Sequence, residues 1–136
     1  YLICNQEPLI PVKVDALISI DVGSEIITGS TRMKSGTATK MVLNMISTAV
    51  MIRLGKVYGN LMVDLNVVND KLLDRGSRII EQLTGLDYDS SKEKLSEADG
   101  SVKTAIVMTL KKCTKHNAKI MIDENDGLLR KVIGNK

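Results

Sequence analysis

The chain has 136 residues, 43% of them hydrophobic and 26% charged, and its formal net charge is +3 at pH 7. This composition is typical of a globular protein with one domain or slightly more, and the charge is too small and too dispersed for a nucleic-acid-binding surface. The sequence shows no signal peptide and no apolar run of membrane-spanning length, so we expect a cytoplasmic protein without a membrane partner.

The first apolar segments have the pattern of an α/β protein. Residues 1–4 form a strand-like run that we expect to continue an element begun upstream, and residues 15–21 are a short apolar run typical of a buried strand in a parallel sheet. Residues 36–57 follow a helical period and are apolar over most of the helix girth. Such a helix needs two partners, a sheet on one side and another subunit or helix on the other, and this chain alone is expected to supply too little to cover both sides.

The rest of the chain predicts shorter helices. Asn69 is a suitable N-cap for a helix that runs to about residue 83, and residues 90–93 fit a capping box that opens another. A helix is expected over residues 102–113, Thr114 caps the next one, and a last helical run follows Gly127. These segments predict a compact three- or four-helix module.

The cysteines and the histidine do not predict a metal site. Cys4 and Cys113 are far apart and outside any Cys-x-x-Cys pair, so we expect two free thiols in a reducing compartment. His116 is the only histidine, which makes a zinc site of Cys and His ligands improbable, and its polar neighbours predict a surface position.

The loop between the second strand and the long helix, residues 23–36, is the candidate binding site. Its three glycines permit close backbone approach, its hydroxyls can bind sugar or phosphate oxygens, and its cations lie beside a helix N-terminus. The candidate ligand contacts are Glu25, Ser30, Thr31, Arg32 and Lys34. From residue types alone an alternative stays open, in which Ser30, Thr31 and Thr37 cap the helix while Arg32 and Lys34 lie in solvent.

The order of residues in this loop, Gly-x-Glu-x-x-x-Gly-Ser-Thr-Arg-Met-Lys-x-Gly-Thr-Ala, resembles the signature of the N-acetylmuramic acid 6-phosphate etherases and of the related glucokinase regulatory proteins. The likeness to bacterial etherases continues through residues 40–48 and 54–64, and residues 100–108 resemble their C-terminal helical domain. One departure is Ser24, where the family more often has proline. The resemblance covers nearly the whole chain.

The resemblance implies an α/β fold in two parts. Residues 1–83 are expected to be the second half of a sugar isomerase (SIS) domain, a doubly wound fold with few parallel strands in this part and the long buried helix. Residues 84–136 are expected to form a small all-α bundle similar to a ubiquitin-associated domain. SIS domains of this family pair, so a homodimer is also implied.

The function implied by the resemblance is that of a carbon–oxygen lyase. Such an etherase removes D-lactate from N-acetylmuramic acid 6-phosphate and leaves N-acetylglucosamine 6-phosphate, a step of amino sugar catabolism in peptidoglycan recycling, without metal or organic cofactor. The family's catalytic carboxylates lie upstream of Tyr1, so no catalytic residue is expected here and the chain alone is expected to be inactive. Glu25, Ser30, Thr31, Arg32 and Lys34 would contact the sugar phosphate.

Two alternatives from other functional classes remain at this point. The first is a non-catalytic sugar-phosphate-binding regulator of the glucokinase regulatory protein type, which shares the loop signature. The second is an interaction and dimerisation module that uses the apolar helix of residues 36–57.

Overall fold

The structure is a computed structural model that describes residues 2–4, 11 and 13–134. Two compact units, residues 1–49 and 50–136, make up the chain, and the division falls inside the longest helix. The described part is mostly helical and contains two small two-stranded sheets. None of its helices combines the length and the apolar character that crossing a membrane requires.

The first unit contains two short parallel strands. Strand β1 spans Leu2–Cys4 and pairs with β2, Leu17–Ser19, so the parallel pairing expected from the sequence is confirmed. The prediction that the second strand is buried is wrong for the described chain, because Ile18 is half-buried and Leu17 is 46% exposed. A two-stranded sheet is too narrow to cover both faces of either strand.

Helix α1 spans Lys34–Arg53. It begins two residues before the predicted start and ends four residues before the predicted end. It stops because Gly55 turns the chain with a φ of +72°, and Val57 then belongs to a strand. Only Val42 of α1 is buried by the described residues, which agrees with the expectation that this chain alone cannot cover the helix. The apolar residues point to several sides of the helix, and two strands cannot cover them.

After the last residues of α1, the second unit continues with a hairpin and five helices. Strands β3, Val57–Tyr58, and β4, Leu61–Met62, pair antiparallel around a two-residue turn. The helices that follow are α2, Asp70–Thr84; α3, Tyr88–Glu97; α4, Val102–Lys111; α5, Lys115–Asp123; and α6, Leu129–Ile133. The predicted helical module is therefore present, although α2 also packs against α3 and α4.

The helix caps explain where these helices begin. The side chains of Asn69 and Thr114 accept hydrogen bonds from the backbone of the first turns of α2 and α5, as predicted. The prediction of a capping box at residues 90–93 is wrong. The carboxylate of Asp87 caps α3 instead, and it accepts from the Ser90 amide at 2.9 Å and from the Ser90 hydroxyl at 2.7 Å. Helix α3 thus starts three residues earlier than the capping box required.

The core of the second unit is centred on α4. All residues from Val102 to Val107 are buried, and α4 is in contact with α2, α3, α5 and α6. The core is aliphatic apart from Tyr58; its other fully buried or nearly fully buried apolar members include Val63, Ile79, Ile80, Leu83, Leu95, Ile106, Ala118 and Leu129. A set of this size buries enough apolar surface to hold the helices together.

Candidate functional site

The loop between β2 and α1 is shaped by local hydrogen bonds. The carboxylate of Asp21 accepts from the Gly23 amide at 2.8 Å, and Gly23 has a φ of +64°. Further along, the Ser30 amide donates to the Ile27 carbonyl at 3.0 Å, with Gly29 at a φ of +81° in the third position of the turn. A positive φ at that position is typical of a type II turn.

The carboxylate of Glu25 caps the N-terminus of α1. Its two oxygens accept from the backbone amides of Ser35, at 2.9 Å, and Lys34, at 3.1 Å. These two amide hydrogen bonds, together with the nearby Lys34 ammonium, lower the pKa of Glu25 below its ordinary value. Glu25 is therefore ionised at neutral pH, which suits it to accept hydrogen bonds from a ligand and not to act as a general acid.

The side chain of Lys34 is directed to the same loop. Its ammonium donates to the carbonyl of Ser24 at 2.6 Å. The acceptor is a backbone oxygen, which any residue at this position presents. Lys34 and Arg32 are both exposed, as the alternative expected, but the Lys34 ammonium has a backbone acceptor in the loop.

Ser30 and Thr31 do not cap the helix with their side chains. Within the described residues neither hydroxyl makes a hydrogen bond, and Glu25 occupies the position that they were expected to fill. The carbonyl of Thr31 accepts from the Gly36 amide at 2.9 Å, and a Cβ on Gly36 would approach that oxygen to 3.3 Å. Gly36 thus permits the close start of α1.

Two concave surfaces adjoin this loop. A cleft of about 60 Å³ brings together Glu25, Ser30 and Arg32, with Ile27 and Met33 as its apolar wall. An open groove of about 600 Å³ lies along the start of α1. It is lined by Ile26, Arg32, Met33, Lys34, Thr37, Ala38 and Met41. Arg32 and Met33 border both, whereas Thr31 is exposed and lines neither.

The chemistry of the cleft is that of a polar binding wall. A carboxylate, a hydroxyl and a guanidinium can together hold sugar hydroxyls and an anionic group. Pockets that enclose small molecules measure about 300–1,000 Å³, so a cleft of about 60 Å³ can form only one side of a sugar-phosphate site. Among the described residues no group of three His, Cys, Asp or Glu side chains is placed to hold a metal ion.

Sequence reasoning missed two contributors to the site. Ser35 donates to Glu25 through its backbone amide, and its side chain also hydrogen-bonds the carboxylate and helps to lower the Glu25 pKa. The apolar wall of the groove could have been found from the sequence. Lys34, Ala38 and Met41 follow a helical i, i+4, i+7 spacing, which places them on one face of α1.

Comparison with known proteins gives matches along nearly the whole chain. It is 51% identical over 132 residues to an N-acetylmuramic acid 6-phosphate etherase of Bacillus subtilis, a match that covers 97% of the chain and 43% of the relative. Etherases of Clostridium beijerinckii and Oceanobacillus iheyensis are 51% and 54% identical over 96% and 93% of the chain, and again 43% of each relative is covered. No protein-family model matches the chain.

The resemblance inferred from the loop signature is thereby confirmed. The chain corresponds to the C-terminal part of these relatives and spans less than half of their length.

Proposed function

We propose that this chain, which matches the C-terminal part of N-acetylmuramic acid 6-phosphate etherases, contributes one wall of the substrate site of such a lyase. The observation that carries the proposal is the match over 97% of the chain, together with the cleft in which Glu25, Ser30 and Arg32 meet. The substrate is N-acetylmuramic acid 6-phosphate, and the products are D-lactate and N-acetylglucosamine 6-phosphate.

The reaction divides the work between this chain and the residues upstream of it. The sugar ring opens, a base removes the proton next to the aldehyde, lactate leaves from the neighbouring carbon with the ether oxygen, and water adds to the double bond. An acid and a base at different protonation states are required, and they are supplied upstream of Tyr1. The 136 residues alone are inactive, and no cofactor takes part.

Within this chain the candidate contacts have distinct roles. Glu25 accepts a hydrogen bond from a sugar hydroxyl, as its ionised state favours. Ser30 and Thr31 supply hydroxyls, and Arg32 attracts the anionic groups of the substrate. The small size of the cleft supports this division, because a second wall is needed to enclose a sugar phosphate.

We also propose the two-part fold that the resemblance implies. Residues 1–83 complete a doubly wound SIS domain, and residues 84–136 form a bundle of the ubiquitin-associated type in a cytoplasmic homodimer. The uncovered apolar residues of α1 support a larger assembly, since large exposed apolar surfaces are typical of interaction sites. They include Met41, Leu43, Met45, Val50, Met51 and Ile52.

The decisive experiment measures lactate release from N-acetylmuramic acid 6-phosphate by this chain and by a version extended upstream to the relatives' full length. We expect release by the extended protein only. Equal rates for both would show that the catalytic carboxylates lie within these 136 residues. If the extended protein binds the sugar phosphate and releases nothing, it is a regulator and the lyase proposal fails.

The assembly is tested by sedimentation of the extended protein at micromolar concentration. We expect a dimer. A well-folded monomer would contradict the proposed homodimer, because the monomer would have to cover the apolar residues of α1 by itself.

A further inference from the structure

Lys34 contacts the loop that carries Glu25 at two points. Its ammonium donates to the Ser24 carbonyl at 2.6 Å, and its backbone amide donates to the Glu25 carboxylate at 3.1 Å. The two acceptors are consecutive residues, nine and ten positions before Lys34. One residue at the start of α1 therefore fixes both the backbone before Glu25 and the carboxylate itself.

Arg32 differs from Lys34 although both were expected to attract anions. Its guanidinium makes no hydrogen bond or ion pair with the described residues, and it borders both the cleft and the groove. Arg32 is therefore available to a ligand. The Lys34 ammonium already has an acceptor, and a ligand anion would have to compete with it.

The geometry at Glu25 leaves room for a ligand. An ionised carboxylate offers about four acceptor positions, and the two amides at the start of α1 together with the Ser35 side chain do not fill all of them. The remaining positions can accept sugar hydroxyls only if the carboxylate keeps its orientation. That orientation depends on the loop backbone at Ser24, which the Lys34 ammonium holds.

We propose that Lys34 is a positioning residue that acts through Glu25 and does not bind the substrate itself. This inference rests on the proposed function, because it assigns Glu25 to the sugar. It replaces the expectation that Lys34 attracts the anionic ligand. Loss of the side chain releases the Ser24 carbonyl and removes a positive charge beside Glu25, whose carboxylate then samples more orientations.

A double-mutant cycle in the extended protein tests the proposal. The variants are Lys34→Met, Glu25→Gln and the double variant, and kcat/KM for lactate release is measured for each. We expect each single change to lower kcat/KM roughly tenfold, as loss of one charged hydrogen bond does. The double variant should lose no more than Glu25→Gln. If the two losses multiply, Lys34 acts on the substrate independently and the proposal is wrong.

Two further variants separate positioning from a general effect. Lys34→Arg keeps a long cationic donor that can reach the Ser24 carbonyl, so it should recover most of the activity lost in Lys34→Met. Lys92→Met removes an exposed lysine of α3 and should leave kcat/KM unchanged. A Lys34→Arg variant as impaired as Lys34→Met, or a Lys34→Met variant as active as the unchanged protein, would overturn the proposal.

Amide hydrogen exchange in the extended protein distinguishes failure of this inference from failure of the proposed function. If the unchanged extended protein releases no lactate, the lyase proposal fails, and the exchange of the Ser35 amide still reports on Glu25. Lys34→Met should accelerate that exchange relative to Lys92→Met, because a mobile carboxylate protects the amide less. An unchanged rate would show that Lys34 does not position Glu25.

Discussion

Helices α1 and α4 differ sharply in how much of their apolar surface is covered. Helix α1 has 20 residues, of which Val42 alone is buried, whereas α4 has 10 residues and buries the consecutive run from Val102 to Val107. Both sequences are rich in aliphatic residues and methionine. The difference therefore arises from the neighbours that the chain itself provides.

Four helices surround α4, and they make its region self-sufficient. Among the residues that the structure describes, the apolar side chains of α1 find no equivalent cover, and Met41 and Met45 are 57% and 60% exposed. Packing of an apolar face, more than helix propensity, stabilises helices in proteins. We infer that residues 50–136 carry most of the stability of the chain and that the region around α1 depends on additional partners.

The largest effect is expected from truncation in the α4 core. Ile106→Ala removes a fully buried side chain and should lower the free energy of unfolding by about 3 kcal/mol. Ile26→Ala is the matched change in the first unit, where the side chain is 74% exposed, and should cost less than about 0.5 kcal/mol. Urea unfolding of both variants measures the difference. Similar losses would contradict the inference that stability is concentrated in residues 50–136.

A smaller loss is expected from the buried lysine of α4. The side chain of Lys103 is 8% exposed, donates to the Gly127 carbonyl at 2.9 Å and pairs with Asp64 at 3.3 Å. Lys103→Met should destabilise the chain by about 1–2 kcal/mol, because the carbonyl loses its donor while Asp64 stays partly solvated and paired with Lys56. Lys131→Met, which breaks an exposed pair with Asp126, should have no measurable effect.

Lys103 also makes the stability of the folded chain depend on pH, through its interaction with Asp64. Burial alone would raise the pKa of Asp64, but the hydrogen bond from Lys56 and the charge of Lys103 outweigh it, so the pKa is lowered. A lowered pKa stabilises the folded chain above the ordinary aspartate range and ceases to do so as the pH falls through the folded-state value. Acid unfolding of Lys103→Met should begin at a higher pH than in the unchanged chain. If both chains unfold at the same acidic pH, Lys103 does not contribute to the pH dependence of stability.

Sequence reasoning located most helices because their start signals are local. Asn69 and Thr114 act within three residues of the amides that they cap. It failed at α3, because Asp87 and Ser90 are both good N-caps and the choice depends on packing. It also extended α1 too far, since the helical period continues past Gly55, where a Cβ would lie 2.7 Å from the Gly127 carbonyl. That contact joins residues far apart in sequence and leaves no local signal.

The candidate site was predictable in its residue types but not in its contacts. The sequence indicated Glu25, Ser30 and Arg32, which share one cleft. It did not indicate that Glu25 caps α1 or that Lys34 is bound to the loop, because both contacts require the loop to fold back on the helix. The ligand contacts themselves, including Thr31, stay predictions.

A pH titration of the loop examines the less covered region directly. The pKa of Glu25 is lowered chiefly by the Ser35 and Lys34 amides, so protonation breaks the cap only when the pH falls through that lowered value. Hydrogen exchange of the Ser35 amide, corrected for intrinsic rates, should lose protection there, and Glu25→Gln should lack this transition. The α4 amides should stay protected at the same pH. Simultaneous loss in both regions would show that they unfold together.

The smallest effect, and one of opposite sign, is expected from Ser91 on α3. Its side chain is fully buried, and within the described residues its hydroxyl has no hydrogen-bond partner. Ser91→Ala removes an unsatisfied polar atom and improves helix propensity, so the free energy of unfolding should rise by roughly 0.5–1 kcal/mol.

Ser77 is equally buried on α2, but its hydroxyl donates to the Leu73 carbonyl at 2.9 Å. In Ser77→Ala the lost hydrogen bond offsets the gain in propensity, and urea unfolding should show no increase. If Ser91→Ala destabilises the chain as a core truncation does, the buried hydroxyl contributes to stability and the prediction is wrong.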